Sequence, residues 1–166
     1  MAGSDVDAKA VPCSKVDLSG KWQLDRNENF DEYMRAAGLG AVKRMMVQAL
    51  TPVEEIELED EEKEKEEAGG TKVSICTKAV GFKRRCVFTV GVEYGETHPM
   101  WGDKEQRVLA GWEAGADGGG GRLVQRVLLA PGDTVEKSFA REIIDGEMLV
   151  TMKLGKVEAK RYFKRI

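Results

Sequence analysis

Seven strand-like stretches follow one another from residue 71 to the end of the chain. Short glycine-rich or polar turns separate them, which favours antiparallel pairing between consecutive strands. A further strand is indicated around Trp22, ahead of two helical segments. This order predicts an all-β fold, a closed up-and-down barrel with a helical insertion, with a β-sandwich as the structural alternative. The stretches are TKVSICTKA, RRCVFTVGVEY, QRVLAGWEA, GRLVQRVLL, EKSFAREII, EMLVTMKL and VEAKRYFKR.

The region between Trp22 and Pro52 predicts two short helices. Asn29 is a favourable N-cap, and Glu32 three residues later completes a capping-box pattern. Gly38 is expected to end this first helix, and AVKRMMVQA forms the second. The apolar residues of the first helix recur at the spacing of one helical face; they are Phe30, Tyr33, Met34 and Ala37.

The length of 166 residues suits one domain, and the composition is that of a soluble globular protein. Residues 1–15 are expected to form a flexible tail and residues 16–166 the barrel domain. No apolar run is long enough to span a membrane, and the N-terminal residues lack the apolar segment of a secretory signal. Three cysteines (Cys13, Cys76 and Cys86) at spacings that match no zinc pattern predict reduced thiols, hence the cytoplasm, with the nucleus as a further compartment.

An acidic segment interrupts the predicted strands. Residues 54–67, EEIELEDEEKEKEE, carry ten acids and two lysines, against a net charge of −3 for the whole chain. So many carboxylates cannot be buried together, so residues 54–70 are expected to project as a solvated hairpin. The glycine-rich stretch GADGGGG at residues 115–121 is expected to be a flexible hairpin loop, because it lacks the context of a phosphate-binding loop.

Two arginines are expected to point into the barrel. In the final stretch, VEAKRYFKRI, side chains alternate, so that Arg161 shares a face with Ala159 and Phe163. Arg141 lies in the same way between Phe139 and Ile143. A buried guanidinium without an anion is strongly unfavourable. An anionic ligand head group would supply the partner; the alternative is an internal glutamate, for which Glu96 is the candidate.

Several blocks in family order resemble the intracellular lipid-binding proteins, which bind fatty acids and retinoids. The N-terminal block is DLSGKWQLDRNENFDEYMRAAGLGAVKR, and the later blocks are FTVGVEYGET, RVLAGWE, VLLAPGD, AREIIDGEMLVTM and VEAKRYFKRI. The resemblance covers roughly residues 16–166. It implies a ten-strand antiparallel up-and-down barrel of the lipocalin-like, fatty-acid-binding type, with a two-helix lid over an internal cavity.

The same resemblance implies how the ligand would be held. In that family, the ligand is one long apolar molecule whose carboxylate contacts two arginines and a tyrosine. The arginines correspond to Arg141 and Arg161, whereas the tyrosine position holds Phe163. Retinol binders are similar in having phenylalanine there, but they have neutral amides in place of the arginines.

The remaining ligand-contacting residues follow from strand parity and from the helical face. Phe82 and Trp101 are expected near the entrance and Trp22 in the core. Each of the contact residues has ordinary core packing as its alternative. The expected contacts are Phe139, Val150, Met152 and Gln125 from the strands, and Phe30, Tyr33 and Met34 from the lid.

The sequence therefore predicts a monomeric carrier of one fatty acid or of retinoic acid, with transient membrane contact, no nucleic-acid partner and no cofactor or metal. Two alternatives stay open: a binder of retinol or another neutral lipid, and an adaptor that docks on membranes or partner proteins. Catalysis is not expected, because the only histidine, His98, has no partnered nucleophile or metal-ligand spacing.

Overall fold

Ten antiparallel strands form one sheet that curves into a barrel. The structure, a computed structural model, describes residues 15–60, 70–102, 104–115 and 120–166. Two α-helices follow the first strand: Phe30–Ala36 (α1) and Ala41–Gln48 (α2), and a 3-10 helix spans Pro99–Trp101. The strands are Gly20–Glu28 (β1), Val53–Asp60 (β2), Thr71–Ala79 (β3), Phe82–Thr89 (β4), Tyr94–Glu96 (β5), Gln106–Ala114 (β6), Gly121–Val127 (β7), Lys137–Ile144 (β8), Glu147–Leu154 (β9) and Val157–Arg165 (β10).

The sheet order runs from β4 through β1 and β10 to β5. Strand β1 pairs with both β2 and β10, which joins the two halves of the chain. The predicted all-β barrel with a helical insertion is confirmed, and the sandwich alternative is wrong. Barrel closure creates an interior lined by every second residue of each strand.

Side chains close the barrel at its seam. Among the described residues, the edge strands β4 and β5 share no backbone ladder. Arg84 of β4 instead forms an ion pair with Glu96 of β5. Next to it, the rings of Phe88 and Tyr94 stack at 4.9 Å between centroids. The seam therefore depends on side-chain chemistry rather than on strand pairing.

The first helix buries the predicted apolar face, while no residue of the second is fully buried. Gly38, at φ 95°, follows the end of α1 as expected. Asn29 is the N-cap residue, as predicted, but its side chain does not cap the helix: the residue adopts a left-handed conformation, and its amide donates to the Glu158 carbonyl of β10 at 2.9 Å. On α2, Val42, Met45 and Met46 remain about two-thirds exposed. Within the described part of the chain, no helix is long and apolar enough to cross a membrane.

The described part of the acidic segment does not project from the barrel. Residues 53–60 form β2, which pairs with β3 along its whole length and with β1 at its start. Its side chains alternate, so that Glu54 and Ile56 are buried and Glu57 is exposed. The expectation of a solvated excursion is therefore wrong for residues 54–60. The rest of that segment, the predicted tail up to residue 14 and most of the GADGGGG stretch lie outside the described residues.

The hydrophobic core contains Trp22, as expected. Its side chain is fully buried, its indole nitrogen donates to the Leu18 carbonyl at 2.9 Å, and the Arg165 guanidinium stacks 4.1 Å from its ring. Cys76 and Cys86 are buried free thiols.

Candidate functional site

A cavity of about 190 Å³ lies inside the barrel beneath α2. Most of its wall is apolar, and the polar exceptions converge on a few charged side chains, which is typical of a small-molecule site. The polar residues are Glu54, Thr77, Arg84, His98, Arg141 and Arg161. The apolar residues are Val47, Leu50, Pro52, Ala79, Phe82, Pro99, Met100, Phe139, Val150, Met152 and Phe163.

Arg141 already has a carboxylate partner within the protein. Its Nε and Nη2 donate to the two carboxylate oxygens of Glu54, each at 3.2 Å, and its Nη1 donates to Gln125 at 2.8 Å. The amide of Gln125 donates in turn to the Tyr94 hydroxyl at 2.7 Å. Burial acts to lower the pKa of Arg141, but the charge and hydrogen bonds of Glu54 outweigh it and raise that pKa. Arg141 is therefore a buried, neutralised cation.

Among the described residues, the hydrogen-bond and ring partners of Arg161 are neutral side chains. Its Nε donates to the side-chain oxygen of Asn27 at 2.8 Å, and its guanidinium lies 4.1 Å from the Phe30 ring and 5.9 Å from the Phe163 ring. Burial lowers the pKa of Arg161 to about 10, although the nearby charge of Glu54 acts to raise it, so the side chain still carries its charge at neutral pH. This arginine keeps part of its surface accessible, whereas Arg141 is only 6% exposed.

The two arginines lie at the same level of the barrel wall. Both stand opposite Val150 of the intervening strand β9, Arg141 from β8 and Arg161 from β10. Since adjacent strands are about 4.8 Å apart, their backbones are separated by roughly 10 Å. Long side chains can therefore reach one shared head group from these positions.

His98 is a further polar residue of the cavity wall. Its Nδ1 accepts from the Met100 backbone nitrogen at 3.1 Å, and its ring packs against Trp101 and Phe139 at 5.0 and 4.8 Å. Burial, assisted by the charges of Arg84 and Arg141, lowers the pKa of His98 to about 3. The imidazole is therefore neutral at physiological pH. Among the described residues, no group of His, Cys, Asp and Glu side chains could hold a metal ion.

We expect His98 to make folding stability depend on pH. The unfolded chain takes up a proton near pH 6.5, whereas folded His98 does so only near pH 3. The stabilisation is therefore complete above pH 6.5 and is lost as the pH falls, by about 2 kcal/mol between pH 7 and pH 5. Urea denaturation across this range measures the effect.

His98→Asn is the control, because asparagine keeps an acceptor for the Met100 amide but does not titrate. Its free energy of unfolding should stay nearly constant between pH 7 and pH 5. Since His98 is the only histidine, a wild-type protein that is equally insensitive would show that the imidazole is not buried in its neutral form.

Comparison with known proteins identifies the family. No model of a known protein family matches the chain. The chain is 30% identical over 159 residues to the sodium/calcium exchanger regulatory protein 1 of Doryteuthis pealeii, covering 91% of this chain and 98% of that protein. It is also similar in structure to the REP1-NXSQ fatty acid transporter, with a TM-score of 0.70 and 29% identity over 90% of this chain and 96% of that one. The chain belongs to the intracellular lipid-binding protein family.

A second relative of this lipid-binding protein is the muscle fatty acid-binding protein of Schistocerca gregaria. It is 28% identical over 144 residues, which is 87% of this chain and 92% of the relative. The resemblance seen in the sequence is therefore confirmed.

The lipid-binding barrel brings most of the predicted contact residues to one cavity. Gln125 does not line the cavity but accepts a hydrogen bond from Arg141, and Phe30 lies against Arg161. Tyr33 and Met34 are fully buried in the core and do not line the cavity. Trp101 is buried behind His98, while Phe82 lies at the cavity wall. The predicted residues that line the cavity are Arg141, Arg161, Phe163, Phe139, Val150 and Met152.

Sequence reasoning missed the acid that pairs with Arg141. The candidate, Glu96, binds Arg84 at the seam instead. The partner is Glu54. It was predicted to lie in a solvated hairpin, because residues 54–67 carry so many acids. The alternation of Glu54, Ile56 and Leu58 with outward glutamates is the signal that identifies β2 as a strand and Glu54 as an inward residue.

Proposed function

We propose that this protein carries one hydrophobic carboxylate, a long-chain fatty acid or retinoic acid, inside the barrel. The observation that carries the proposal is Arg161, a cation that lines an apolar cavity without a carboxylate partner among the described residues. A ligand carboxylate would accept its charge-assisted hydrogen bonds. Arg141, at the same level of the wall, would lie beside the head group.

The apolar wall supports a long hydrocarbon ligand. Each buried methylene contributes about 0.8 kcal/mol, so the chain supplies affinity while the head group sets orientation and selects for acids. Phe163 lacks the phenolic donor of the family, which costs roughly 1 kcal/mol for a neutral hydrogen bond. The names of two relatives, a fatty acid transporter and a fatty acid-binding protein, support the same ligand class.

Ligand entry requires the cavity to widen. Its volume of about 190 Å³ lies below the roughly 300–1,000 Å³ that is usual for ligand pockets. No residue of helix α2 is fully buried, and its polar ties to α1 are the bonds of Arg44 and Gln48 to Asp31. We infer that α2 and the adjoining Pro99–Trp101 segment open to admit the ligand, on the microsecond-to-millisecond timescale of such lids. The protein would act as a non-catalytic monomer in the cytoplasm, with transient membrane contact and access to the nucleus.

A neutral lipid such as retinol is the second candidate. Two observations favour it: Phe163 occupies the position of the family tyrosine, and Glu54 already neutralises Arg141. With one arginine paired internally, the preference for an acid rests mainly on Arg161.

Calorimetric titration of the delipidated protein distinguishes the candidates. The ligands are palmitic acid, retinoic acid and their alcohols, hexadecanol and retinol. We expect one site that prefers acid over alcohol by at least tenfold, about 1.4 kcal/mol. Equal affinities would favour the neutral-lipid candidate, and no binding of any of the four would favour an adaptor. Incubation with esters of the same lipids should release no acid.

A further inference from the structure

We propose that Glu54 determines the charge of the head groups that the cavity accepts, so that monoanions bind and dianions are rejected. This inference rests on the proposed function, because it concerns the same site. Glu54 acts as an internal counter-ion: it occupies Arg141 and leaves the cavity with capacity for one further negative charge.

The contact between Glu54 and Arg141 is a closed, bidentate ion pair. Both carboxylate oxygens accept from the guanidinium, and the two residues are 8% and 6% exposed. With the bond to Gln125, three donations occupy Arg141, against one for Arg161. Separating such a buried pair leaves two unpaired charges, which is strongly unfavourable. A ligand therefore meets a preformed pair and one available cation.

The charges on the cavity wall determine how much negative charge a bound ligand can carry. Arg84 is paired with Glu96 at the seam, and His98 is neutral. Arg141, Arg161 and Glu54 then leave a formal charge of +1 on the wall. A carboxylate brings this charge to zero, whereas a dianion leaves an uncompensated negative charge in a low-dielectric interior. A dianionic head group would also face the carboxylate of Glu54 itself.

Binding of lauric acid, dodecyl phosphate and dodecanol tests this inference. The titrations are done near pH 8, where a phosphate monoester is dianionic because its second pKa is about 6. We expect the wild-type protein to prefer the carboxylate over the phosphate by at least tenfold. Glu54→Gln, which raises the wall charge to +2, should reduce this preference at least tenfold and should also bind lauric acid more tightly. The control is Glu57→Gln, an exposed glutamate on the same strand, and it should match the wild type.

Two further variants separate the charge of the cavity wall from the side chain at position 54. In Glu54→Gln combined with Arg141→Gln the charge returns to +1, so the wild-type preference should return. Arg141→Gln alone lowers the charge to zero and should reduce the preference for lauric acid over dodecanol. If Glu54→Gln fails to fold, the double variant carries the test, because it leaves neither charge of the buried pair without its partner, and a double variant without the wild-type preference overturns the proposal.

The outcomes also separate this inference from the proposed function. If the wild type prefers lauric acid to dodecanol but Glu54→Gln keeps the wild-type ratio of carboxylate to phosphate, the role of Glu54 is wrong and the carrier function stands. If the wild type shows no preference for lauric acid, the proposed carboxylate carrier and the role of Glu54 are both wrong.

Discussion

Replacing Arg161 with glutamine is expected to lower the affinity for palmitic acid by roughly 1.5–3 kcal/mol, the contribution of a hydrogen bond to a charged group. Glutamine keeps a donor but removes the cation that lacks a carboxylate partner among the described residues. The affinity for hexadecanol should hold or improve, because a neutral ligand leaves the cation of the wild type unpaired in the cavity. Calorimetric titration with both ligands measures the change.

The control is Lys164→Gln, which removes a positive charge from an exposed side chain of the same strand. It should leave both affinities unchanged, which excludes a general effect of net charge. Losses of equal size for acid and alcohol in Arg161→Gln would mean that this arginine supports the barrel rather than the head group. The effects of Arg161→Gln and Arg141→Gln should be non-additive if both side chains serve one carboxylate.

Strand alternation was sufficient to predict most of the barrel. From β6 to β10, apolar and polar residues alternate between clear turns, and the observed strands lie within the predicted stretches. The short strand β5 was missed, because three residues are too few to show a period. Strand β2 was missed because its outward glutamates continue into the charged residues that follow, which hides the inward alternation.

The position of each arginine was predictable, but the partner of each was not. Parity along one strand places Arg141 and Arg161 on the inner face. The partner of Arg141 lies 87 residues away, on a strand that is not adjacent in the sheet. Which acid meets which arginine depends on closure of the barrel and on side-chain conformations across its interior. For this reason Glu96, which is buried like Glu54, was the wrong candidate.

Helix α1 of the predicted lid also shows that a sequence pattern identifies a buried face but not the residues that it contacts. The spacing of Phe30, Tyr33 and Met34 correctly predicted which face of α1 is buried. It did not predict what that face would cover. In the structure α1 packs against β9 and β10, so Tyr33 and Met34 join the core rather than the cavity. Helical periodicity defines a buried face, while the surface that covers it is set by tertiary packing.

Replacing Arg141 with leucine is expected to lower the free energy of unfolding by roughly 3–5 kcal/mol, because Glu54 is left as a buried charge without its partner. Replacing both residues with leucine should recover most of this loss, since apolar side chains in place of a buried ion pair are often neutral or stabilising. Urea denaturation near pH 7 measures all of these variants. The control is Arg107→Leu, which breaks an ion pair with Glu93 that is about half exposed and should cost less than about 1 kcal/mol.

The double leucine variant separates stability from function. If it is as stable as the wild type, the buried pair is not needed for folding, and its presence in the cavity is explained by its effect on the charge that a ligand meets. If instead it is as unstable as Arg141→Leu, the loss does not come from an unpaired Glu54. In that case the hydrogen bond from Arg141 to Gln125, which continues to Tyr94 at the barrel seam, holds this part of the interior together.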